Sequence, residues 1–460
     1  MNPIKSLQHM KLRYFYSMFF LSLSLSLTAS NYDEGKPFGF CTRSSRTSSS
    51  STYDVTGGGC WTYPITNVSN DKVKVLQSDG TDMKGVIQNA IKQYSVVIFD
   101  GSNGDFIISS NVGITSSNRT LLGINGARLC SKWYVTQDIK NALDAAGVPS
   151  MSTSSGTGGK LPNGQNVSEE AEFNTRKIIM QMTGDNSESY RNSGLLTVNG
   201  AQNVIIRNLK LVGPGSIDVG GSDLLSFVGG AKHCWVDHCD FTDGMDGNFD
   251  ITQSSDFNTV SWCTFSYTSR SYMHQNTNLI GSSDSEATGF LNTTFAFNWW
   301  GTGCKQRMPM ARVGKIHMLN NYFSSKTADN CINPRKNSEF LIEGNYFDAG
   351  VKRYYGESDS KAVTWKSNNY IAEGDIPSSK GSTVTVPYTY SVVSYSDVPT
   401  EVKACAGATL YTNVDPTFIL AVKNTRQGME NGAAYNVAGQ RVEASYKGLV
   451  IINGKKVVRK

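Results

Sequence analysis

The chain has 460 residues, 44 of them glycine, and 18% of its residues are charged. This composition excludes a coiled coil and a highly charged disordered chain, and the length allows one large domain with additions or two to three ordinary ones. The formal net charge is only +5.

Residues 1–30 predict a secretory signal peptide. Lys5, Lys11 and Arg13 precede an apolar run from Phe15 to Leu27, and small residues follow at 28–30. The run is too short to cross a membrane as a helix, so export without a membrane span is expected. Because residues 1–30 carry three basic and no acidic residues, their removal lowers the formal charge from +5 to +2. Nucleic acid is therefore not expected as a partner.

Two further predictions concern the segment before the main repeat. Residues 31–60 contain "TRSSRTSSSSTYDVTGGG", a Ser- and Gly-rich composition that predicts a loose loop. Residues 83–94, "MKGVIQNAIKQY", have apolar residues at helical spacing and predict an amphipathic helix that caps the open apolar end of the structure that follows.

A short motif recurs between about residues 200 and 375. Each copy has Leu, Cys or Asn, then any residue, then a large apolar residue, and the copies begin at Leu209, Cys239, Cys263, Asn298, Asn321, Asn345 and Asn369. The copies lie 23 to 35 residues apart, and a brief alternating run that is typical of a strand precedes each one.

A repeat unit of this size must stack on its neighbours to bury its apolar face, which predicts a parallel β-helix. The asparagines from Asn298 to Asn369 then form one column whose amides hydrogen-bond along the stack. Insertions within the longer repeats are expected in loops on the binding face. An antiparallel sandwich is the alternative, but its strands have no reason to repeat a sequence.

Acidic residues cluster in two neighbouring repeats of this weakly charged chain. Asp223 lies in "GGSDLLSF", and Asp243, Asp246 and Asp250 lie in "DGMDGNFDI". Carboxylate oxygens are the ligands that Ca²⁺ takes, although the spacing is not that of an EF-hand. Solvated turn residues are the alternative, since Asp-Gly is common in turns.

Basic residues gather two or three repeats later, in "GTGCKQRMPMARVGKIHMLNNYF". Lys305, Arg307, Arg312 and Lys315 lie here, and the stretch from 301 to 323 contains no carboxylate. A cleft with a bound cation on one side and arginine on the other suits a repeating polyanion such as a polysaccharide of uronic acids.

The last residues, from about 421, predict a separate small module. The segments "YNVAGQRV" and "GLVIINGKKVVRK" indicate short strands, and Asn453-Gly454 is a two-residue hairpin signal. Three units are thus expected: a signal peptide at 1–30, a β-helix at 31–420 and a β-hairpin tail at 421–460.

Together these segments resemble the extracellular pectate lyases of polysaccharide lyase family 1. The resemblance covers about residues 39–410, and its strongest motif is Arg-x-Pro-x-x-Arg at 307–312 followed by "NNYF". It implies an all-β, right-handed, single-stranded parallel β-helix with an N-terminal capping helix and long loops around a cleft. The implied activity is secreted, calcium-dependent β-elimination of polygalacturonate or pectin, by a protein expected to be monomeric.

The resemblance also assigns roles to individual residues. Asp223, Asp246 and Asp250 match the calcium ligands, and Arg307 matches the arginine that acts as Brønsted base. Because a guanidinium is almost always protonated at neutral pH, activity is expected to rise into the alkaline range.

The substrate contacts match the family only in part. Arg312 and Arg335 match arginines that bind substrate, but Asn276 and Thr252 stand where family members have lysine. Lys305, His274 or Arg270 could replace the missing cations, so Lys305, His274 and Asn276 are further candidates for substrate contact. The tail resembles, over a short stretch, C-terminal modules of some secreted polysaccharide-degrading enzymes, which implies a role in sorting.

Three other functions remain alternatives. A hydrolase on the same scaffold would need paired carboxylates, and the chain lacks the Asp-Asp and Gly-His-Gly motifs of polygalacturonases. A pectin lyase acts on methyl-esterified polymer without calcium. A non-catalytic β-helix would bind carbohydrate without cleaving it.

Overall fold

The computed structural model describes residues 35–145, 178, 181–183, 194–217, 222–272 and 274–416. In the tail it describes 434–436, 441–443, 448–452 and 455–459. The predicted signal peptide at 1–30 lies outside these residues.

Short parallel strands stack into three long sheets, and the chain visits the sheets in turn once per coil. Within the described ranges, sheet 1 has seven strands: β4 (Val112–Ile114), β7 (Leu196–Asn199), β10 (Leu225–Val228), β13 (Phe249–Ile251), β16 (Leu279–Ile280), β19 (Met310–Ala311) and β22 (Asn333–Pro334).

Sheet 2 is the longest. Over the same ranges it has ten strands: β1 (Val73–Gln77), β2 (Val96–Asp100), β5 (Arg119–Ile124), β8 (Val204–Arg207), β11 (Trp235–Asp237), β14 (Asn258–Ser261), β17 (Thr293–Ala296), β20 (Lys315–Leu319), β23 (Glu339–Glu343) and β25 (Ala362–Trp365).

Sheet 3 closes the coil. Its nine strands in the described residues are β3 (Phe106–Ile108), β6 (Arg128–Ser131), β9 (Lys210–Val212), β12 (Asp240–Thr242), β15 (Thr264–Ser266), β18 (Trp299–Trp300), β21 (Tyr322–Phe323), β24 (Tyr346–Phe347) and β26 (Tyr370–Ile371). The parallel β-helix predicted from the sequence is confirmed.

The repeated triplet sets the register of sheet 3. Its third residues form one column, because Leu211, Phe241, Phe265, Trp300, Phe323, Phe347 and Ile371 pair in succession. Neighbouring rings in this column stack, with centroids 4.3 to 5.4 Å apart from Phe241 to Phe347. The interior therefore consists of side chains piled on their counterparts in the next coil.

The predicted asparagine column is also confirmed. The side-chain oxygen of Asn321 accepts from the backbone N–H of Asn298 at 2.9 Å and from its amide at 3.1 Å. The same pattern joins Asn321 to Asn345 and Asn345 to Asn369. All four side chains are buried, so these amides satisfy backbone groups where the chain turns from sheet 2 to sheet 3.

Helices lie at the edges of the coil. The predicted capping helix is confirmed as α1 (Lys84–Gln93), which buries Ile87, Ala90 and Ile91. Other helical segments in the described ranges include α2 (Gln137–Ala145), α3 (Val398–Cys405) and 3₁₀ turns at Gly39–Thr42, Asn70–Lys72 and Gly101–Asn103. None of the helices in the described residues has the length and apolar content needed to cross a membrane.

The prediction of a loose loop at 31–60 is wrong for the part that the structure describes. Phe40 and Cys41 are fully buried, and their N–H groups donate to Thr294 at 3.0 Å and Thr259 at 3.2 Å on the outer face of sheet 2. The segment is irregular, but these anchors fix it because the outer face of sheet 2 carries threonine hydroxyls that satisfy its backbone.

The tail contains antiparallel strands, as predicted. β27 (Ala434–Asn436), β28 (Arg441–Val442), β29 (Gly448–Ile452) and β30 (Lys455–Arg459) form one sheet, and β29 pairs with β30 around the predicted turn. Asn453 and Gly454 themselves lie outside the described residues. A role in sorting stays a prediction.

Candidate functional site

The predicted site residues lie along sheet 1 and the loops at its two edges. Asp223 precedes β10, Asp246 precedes β13, and Asp250 lies within β13. Arg307 precedes β19, while Arg312 follows β19 and Arg335 follows β22. Parallel stacking thus brings residues more than 100 positions apart in sequence onto one face.

Asp223 and Asp250 converge next to Gly247. A side-chain carbon at Gly247 would lie 2.6 Å from Oδ1 of Asp223, 3.4 Å from Oδ1 of Asp250 and 3.6 Å from the backbone oxygen of Asn276. Glycine is needed here because any side chain would fill the space between the two carboxylates. The three oxygens therefore surround one small cradle.

The two carboxylates differ in their partners. Oδ2 of Asp223 accepts from Ser226 at 3.2 Å, but its buried Oδ1 has no hydrogen-bond partner in the described part of the chain. Oδ1 of Asp250 accepts the N–H of Leu279 at 2.8 Å. An unsatisfied buried carboxylate oxygen is costly, so a cation at this position would stabilise the site.

The electrostatics of the pair favour a cation. Burial raises the pKa of Asp223 well above its ordinary range, and the charges of Asp250 and Asp246 add to the rise. Burial also raises the pKa of Asp250 to about 7, although the positive charge of Arg307 opposes the change. Negative charge is thus held at a cost that a bound positive ion would offset.

Asp246 is turned toward His274. Nε2 of His274 lies 2.8 Å from Oδ1 of Asp246 and 2.9 Å from the amide nitrogen of Asn276. Burial raises the pKa of Asp246, but the hydrogen bond from His274 and the charges of His274 and Arg307 hold it below its ordinary value. Of the three predicted ligands, two face the cradle and the third is engaged by a histidine.

These residues fit a calcium ion better than a transition metal. Among the described residues, no three His, Cys, Asp or Glu side chains converge into a complete metal cluster. The cradle at Gly247 instead has oxygen donors from two carboxylates and one backbone carbonyl. Ca²⁺ takes oxygen ligands of this kind and completes its shell with water or with oxygens of a ligand.

A bulge presents Arg307 to the site. Gln306 pairs with Asn276, 30 positions earlier, whereas Met310 pairs with Leu279, 31 positions earlier. The stretch from 306 to 310 is therefore one residue longer than its neighbour, and Arg307 adopts a left-handed conformation with φ of 61°. An extra residue interrupts strand alternation and redirects a side chain, a feature found next to active sites.

The guanidinium of Arg307 has no hydrogen bond or ion pair with any residue that the structure describes. Its charge nevertheless opposes the rise in the pKa of Asp223 and Asp250 and helps to hold the pKa of Asp246 low, so it lies near the three carboxylates without an ion pair to any of them.

Two of the four basic residues of 301–323 pair with acidic residues other than the predicted calcium ligands. Nε of Arg312 lies 2.9 Å from Oδ1 of Asp284 in the long loop after β16. Nζ of Lys315 lies 3.8 Å from Glu339 and its side chain is 9% exposed, so Lys315 belongs to the outer face of sheet 2 rather than to the site.

The remaining candidates lie at the rim. Arg335 is half-buried, and its backbone N–H donates to the carbonyl oxygen of Ala311. This hydrogen bond places Arg335 next to Arg312 in the neighbouring coil. Lys305 is exposed, and its N–H donates to Gln275, the neighbour of His274 and Asn276. Arg335 and Lys305 make no side-chain ion pair with any described residue, whereas Asn276 is buried.

Two residues of the candidate site were not identified from the sequence. Gly247 makes room for the cradle, and Asp284 holds Arg312. The dipeptide Asp246-Gly247 was visible as a turn signal, but nothing in the sequence connects Asp284 with an arginine 28 residues later.

Comparison with known proteins identifies the relatives of this chain. Residues 138–409, more than half of the chain, match the family model described as pectate lyase. A probable pectate lyase A of Neosartorya fischeri is 33% identical over 225 residues, covering 47% of this chain and 65% of the relative. A pectate trisaccharide-lyase of Bacillus licheniformis is 32% identical over 219 residues, covering 45% of this chain and 60% of the relative. The match thus spans somewhat less than two thirds of each relative.

Solved structures share the fold. A pectate lyase from Bacillus sp. N165, in complex with trigalacturonate, aligns with a TM-score of 0.51 at 18% identity over 81% of this chain and 98% of that chain. A mutant pectate lyase of Bacillus subtilis aligns with a TM-score of 0.51 at 17% identity over 82% of this chain and 100% of that chain.

Proposed function

The chain belongs to the pectate lyase family, and from this premise we propose that it cleaves α-1,4-linked polygalacturonate by calcium-dependent β-elimination to give unsaturated oligogalacturonides. One observation carries the proposal. Among the described residues, Oδ1 of Asp223 has no hydrogen-bond partner and meets the carboxylate of Asp250 at one cradle, and the guanidinium of Arg307 lies close to them without an ion pair.

The proposed substrate fits this charge arrangement. Each sugar of polygalacturonate carries a carboxylate, so a protein that binds the polymer must present positive charge to it. Asp223 and Asp250 would hold calcium at the cradle, and calcium, when bound, supplies charge that offsets the negative charge developing on the substrate carboxylate. Arg312 and Arg335 would contact carboxylates of the polymer through charge-assisted hydrogen bonds.

Arg307 is proposed as the base. It would accept the proton from C5 of the sugar while the glycosidic oxygen departs from C4 and takes a proton from solvent, which leaves a C4–C5 double bond on the new non-reducing end. Its lack of a partner in the described residues supports this role, because a base must be open toward the proton that it removes. Since a guanidinium loses its proton only at high pH, the rate is expected to rise into the alkaline range.

Asp246 and His274 take a supporting role in this proposal. The hydrogen bond from His274 keeps Asp246 ionised and oriented beside the cradle. Asn276 stands in the position of a family lysine, so this edge of the cleft offers an amide where relatives offer a cation. Lys305, exposed on the next coil beside Gln275, is a cation that could contact the polymer there.

The experiment that tests the proposal uses polygalacturonate and highly methyl-esterified pectin, each with calcium and with chelator. Unsaturated ends are read by ultraviolet absorbance and total cleavage by reducing ends. Calcium-dependent absorbance on polygalacturonate supports the proposal. Reducing ends without absorbance would indicate a hydrolase, absorbance only on esterified pectin in chelator would indicate a pectin lyase, and neither signal would indicate a binding module.

Export completes the proposal. Residues 1–30 have the composition of a secretory signal peptide, and a polysaccharide of cell walls is met outside the cell. Activity in the culture medium of a producing cell, with an N-terminus near residue 31, would support it.

A further inference from the structure

We propose that Asp284 and Glu286 are positioning residues, which lock the guanidinium of Arg312 in one orientation before substrate binds. This inference rests on the proposed function, because it concerns the arginine that is to contact the substrate carboxylate. It starts from the loop 281–291, which lengthens the coil between β16 and β17.

Glu286 anchors this loop to the preceding coil. Its carboxylate accepts the N–H of Gln253 at 3.0 Å and the N–H of Ser254 at 3.3 Å, both in the turn after β13. It also accepts the N–H and the hydroxyl of Ser282 at 3.1 and 3.0 Å. Two of these four hydrogen bonds tie the loop to the preceding coil and two brace the loop itself through Ser282, and together they hold the pKa of Glu286 below its ordinary value despite partial burial.

The anchored loop then grips Arg312 on two of its nitrogens. Nε donates to Oδ1 of Asp284 at 2.9 Å, and Nη1 donates to the carbonyl oxygen of Gly281 at 2.9 Å. Gly281 has φ of 84°, and a side-chain carbon there would lie 3.2 Å from Cβ of Arg312, so the close approach requires glycine.

The grip leaves the substrate-binding end of the guanidinium available. An arginine has five N–H donors, of which two are used here. One N–H of Nη1 and both N–H groups of Nη2 have no partner in the described residues. Together they can donate hydrogen bonds to both oxygens of a substrate carboxylate. The Arg312 side chain is 16% exposed, whereas Asp284 is 69% exposed, so the loop holds the arginine from the solvent side.

The arrangement favours positioning over stabilisation of the fold. An ion pair with so exposed a carboxylate contributes little to folding. A guanidinium held in its bound orientation, however, loses less rotational freedom when substrate binds, and immobilising one long side chain is worth roughly a 2- to 10-fold change in affinity.

The test compares Asp284→Ala, Asp284→Asn and Glu286→Ala with Asp375→Ala as a control for lost negative charge. Asp375 is exposed and lies after β26, outside the loop. The proposal predicts that Asp284→Ala raises KM for polygalacturonate roughly 2- to 10-fold while kcat changes by less than about twofold. Asp284→Asn, which keeps an oxygen acceptor for Nε, should restore the wild-type KM, and the double variant Asp284→Ala/Glu286→Ala should be no worse than Asp284→Ala alone.

A lower KM in Asp284→Ala would overturn the proposal, since Asp284 would then compete with substrate for Arg312. A KM change equal to that of Asp375→Ala would also overturn it, because it would reflect charge alone. The second readout is the Nε–H resonance of Arg312 in protein labelled at arginine Nε. We expect slow solvent exchange in the wild type and in Asp284→Asn and fast exchange in Asp284→Ala, and equal exchange in all three would contradict the positioning role. This readout stays informative even if the wild type forms no unsaturated product, the result that defeats the proposed function.

Discussion

Replacing Asp250 with asparagine should stabilise the calcium-free protein while removing its response to calcium. The carboxylate is buried beside Asp223, and its pKa is raised from 3.8 to about 7. Asparagine keeps the oxygen that accepts the N–H of Leu279 at 2.8 Å, so the hydrogen bond survives while the charge is lost.

The size and the pH range follow from linkage. A raised folded-state pKa means that stability is complete below pH 3.8 and is lost as the pH rises through about 7. A shift of this size corresponds to about 4 kcal/mol. Neighbouring charged groups adjust to the charge of Asp250, which reduces this cost. We therefore expect Asp250→Asn to raise the free energy of unfolding by roughly 2 to 4 kcal/mol at pH 8 in chelator, and by a smaller amount at pH 5.

The assay is denaturant unfolding at both pH values, with chelator and then with calcium. Calcium should raise the stability of the wild type at pH 8 and leave that of Asp250→Asn nearly unchanged, because only the intact site binds the ion. Asp375→Asn serves as the control for an exposed carboxylate. If Asp250→Asn is less stable than the wild type in chelator at pH 8, the electrostatic account of the cradle is wrong.

Three other predictions address separate parts of the molecule. Arg307→Lys should fold normally and lose roughly 10²- to 10⁴-fold in kcat, measured as unsaturated product, and near-normal turnover would remove Arg307 from the role of base. His233 is stacked between Tyr53 and Phe257, and burial lowers its pKa from 6.5 to about 4. Because the neutral imidazole is favoured in the fold, the contribution of His233 to the free energy of unfolding is complete above pH 6.5. About 3 kcal/mol of this contribution is lost as the pH falls toward 4. His233→Asn, which suits the left-handed φ of 53°, should reduce the loss in acid denaturation curves, and an unchanged curve would refute this. Asn321→Ala removes four buried side-chain hydrogen bonds and should cost about 4 kcal/mol in unfolding free energy, whereas a loss below 1 kcal/mol would show that the column contributes little.

The coil was predictable because the same residues recur in the same structural place. The triplet that begins at Asn298 and its counterparts specify both the turn from sheet 2 to sheet 3 and the stacked interior, so spacing alone gave the register. The same spacing also predicts that Lys315 lies beside Glu339, because the two are 24 residues apart, which is the length of one regular coil.

The site was predictable in composition but not in detail. Asp223 and Asp250 could be placed on one face, since a parallel stack aligns neighbouring repeats. The bulge at Arg307 could not be foreseen, because one extra residue is recognised only when the register on both sides is known. The contact between Asp284 and Arg312 depends on the path of a long loop, which sequence periodicity does not describe.

The most direct test of the central claim is the initial rate of unsaturated-product formation from polygalacturonate as calcium is added back to chelator-treated protein. We predict a rate that rises from background to a plateau in the wild type and remains at background in Asp223→Asn and Asp250→Asn. A wild-type rate that is the same with and without calcium, or cleavage that yields reducing ends without ultraviolet absorbance, would contradict the account.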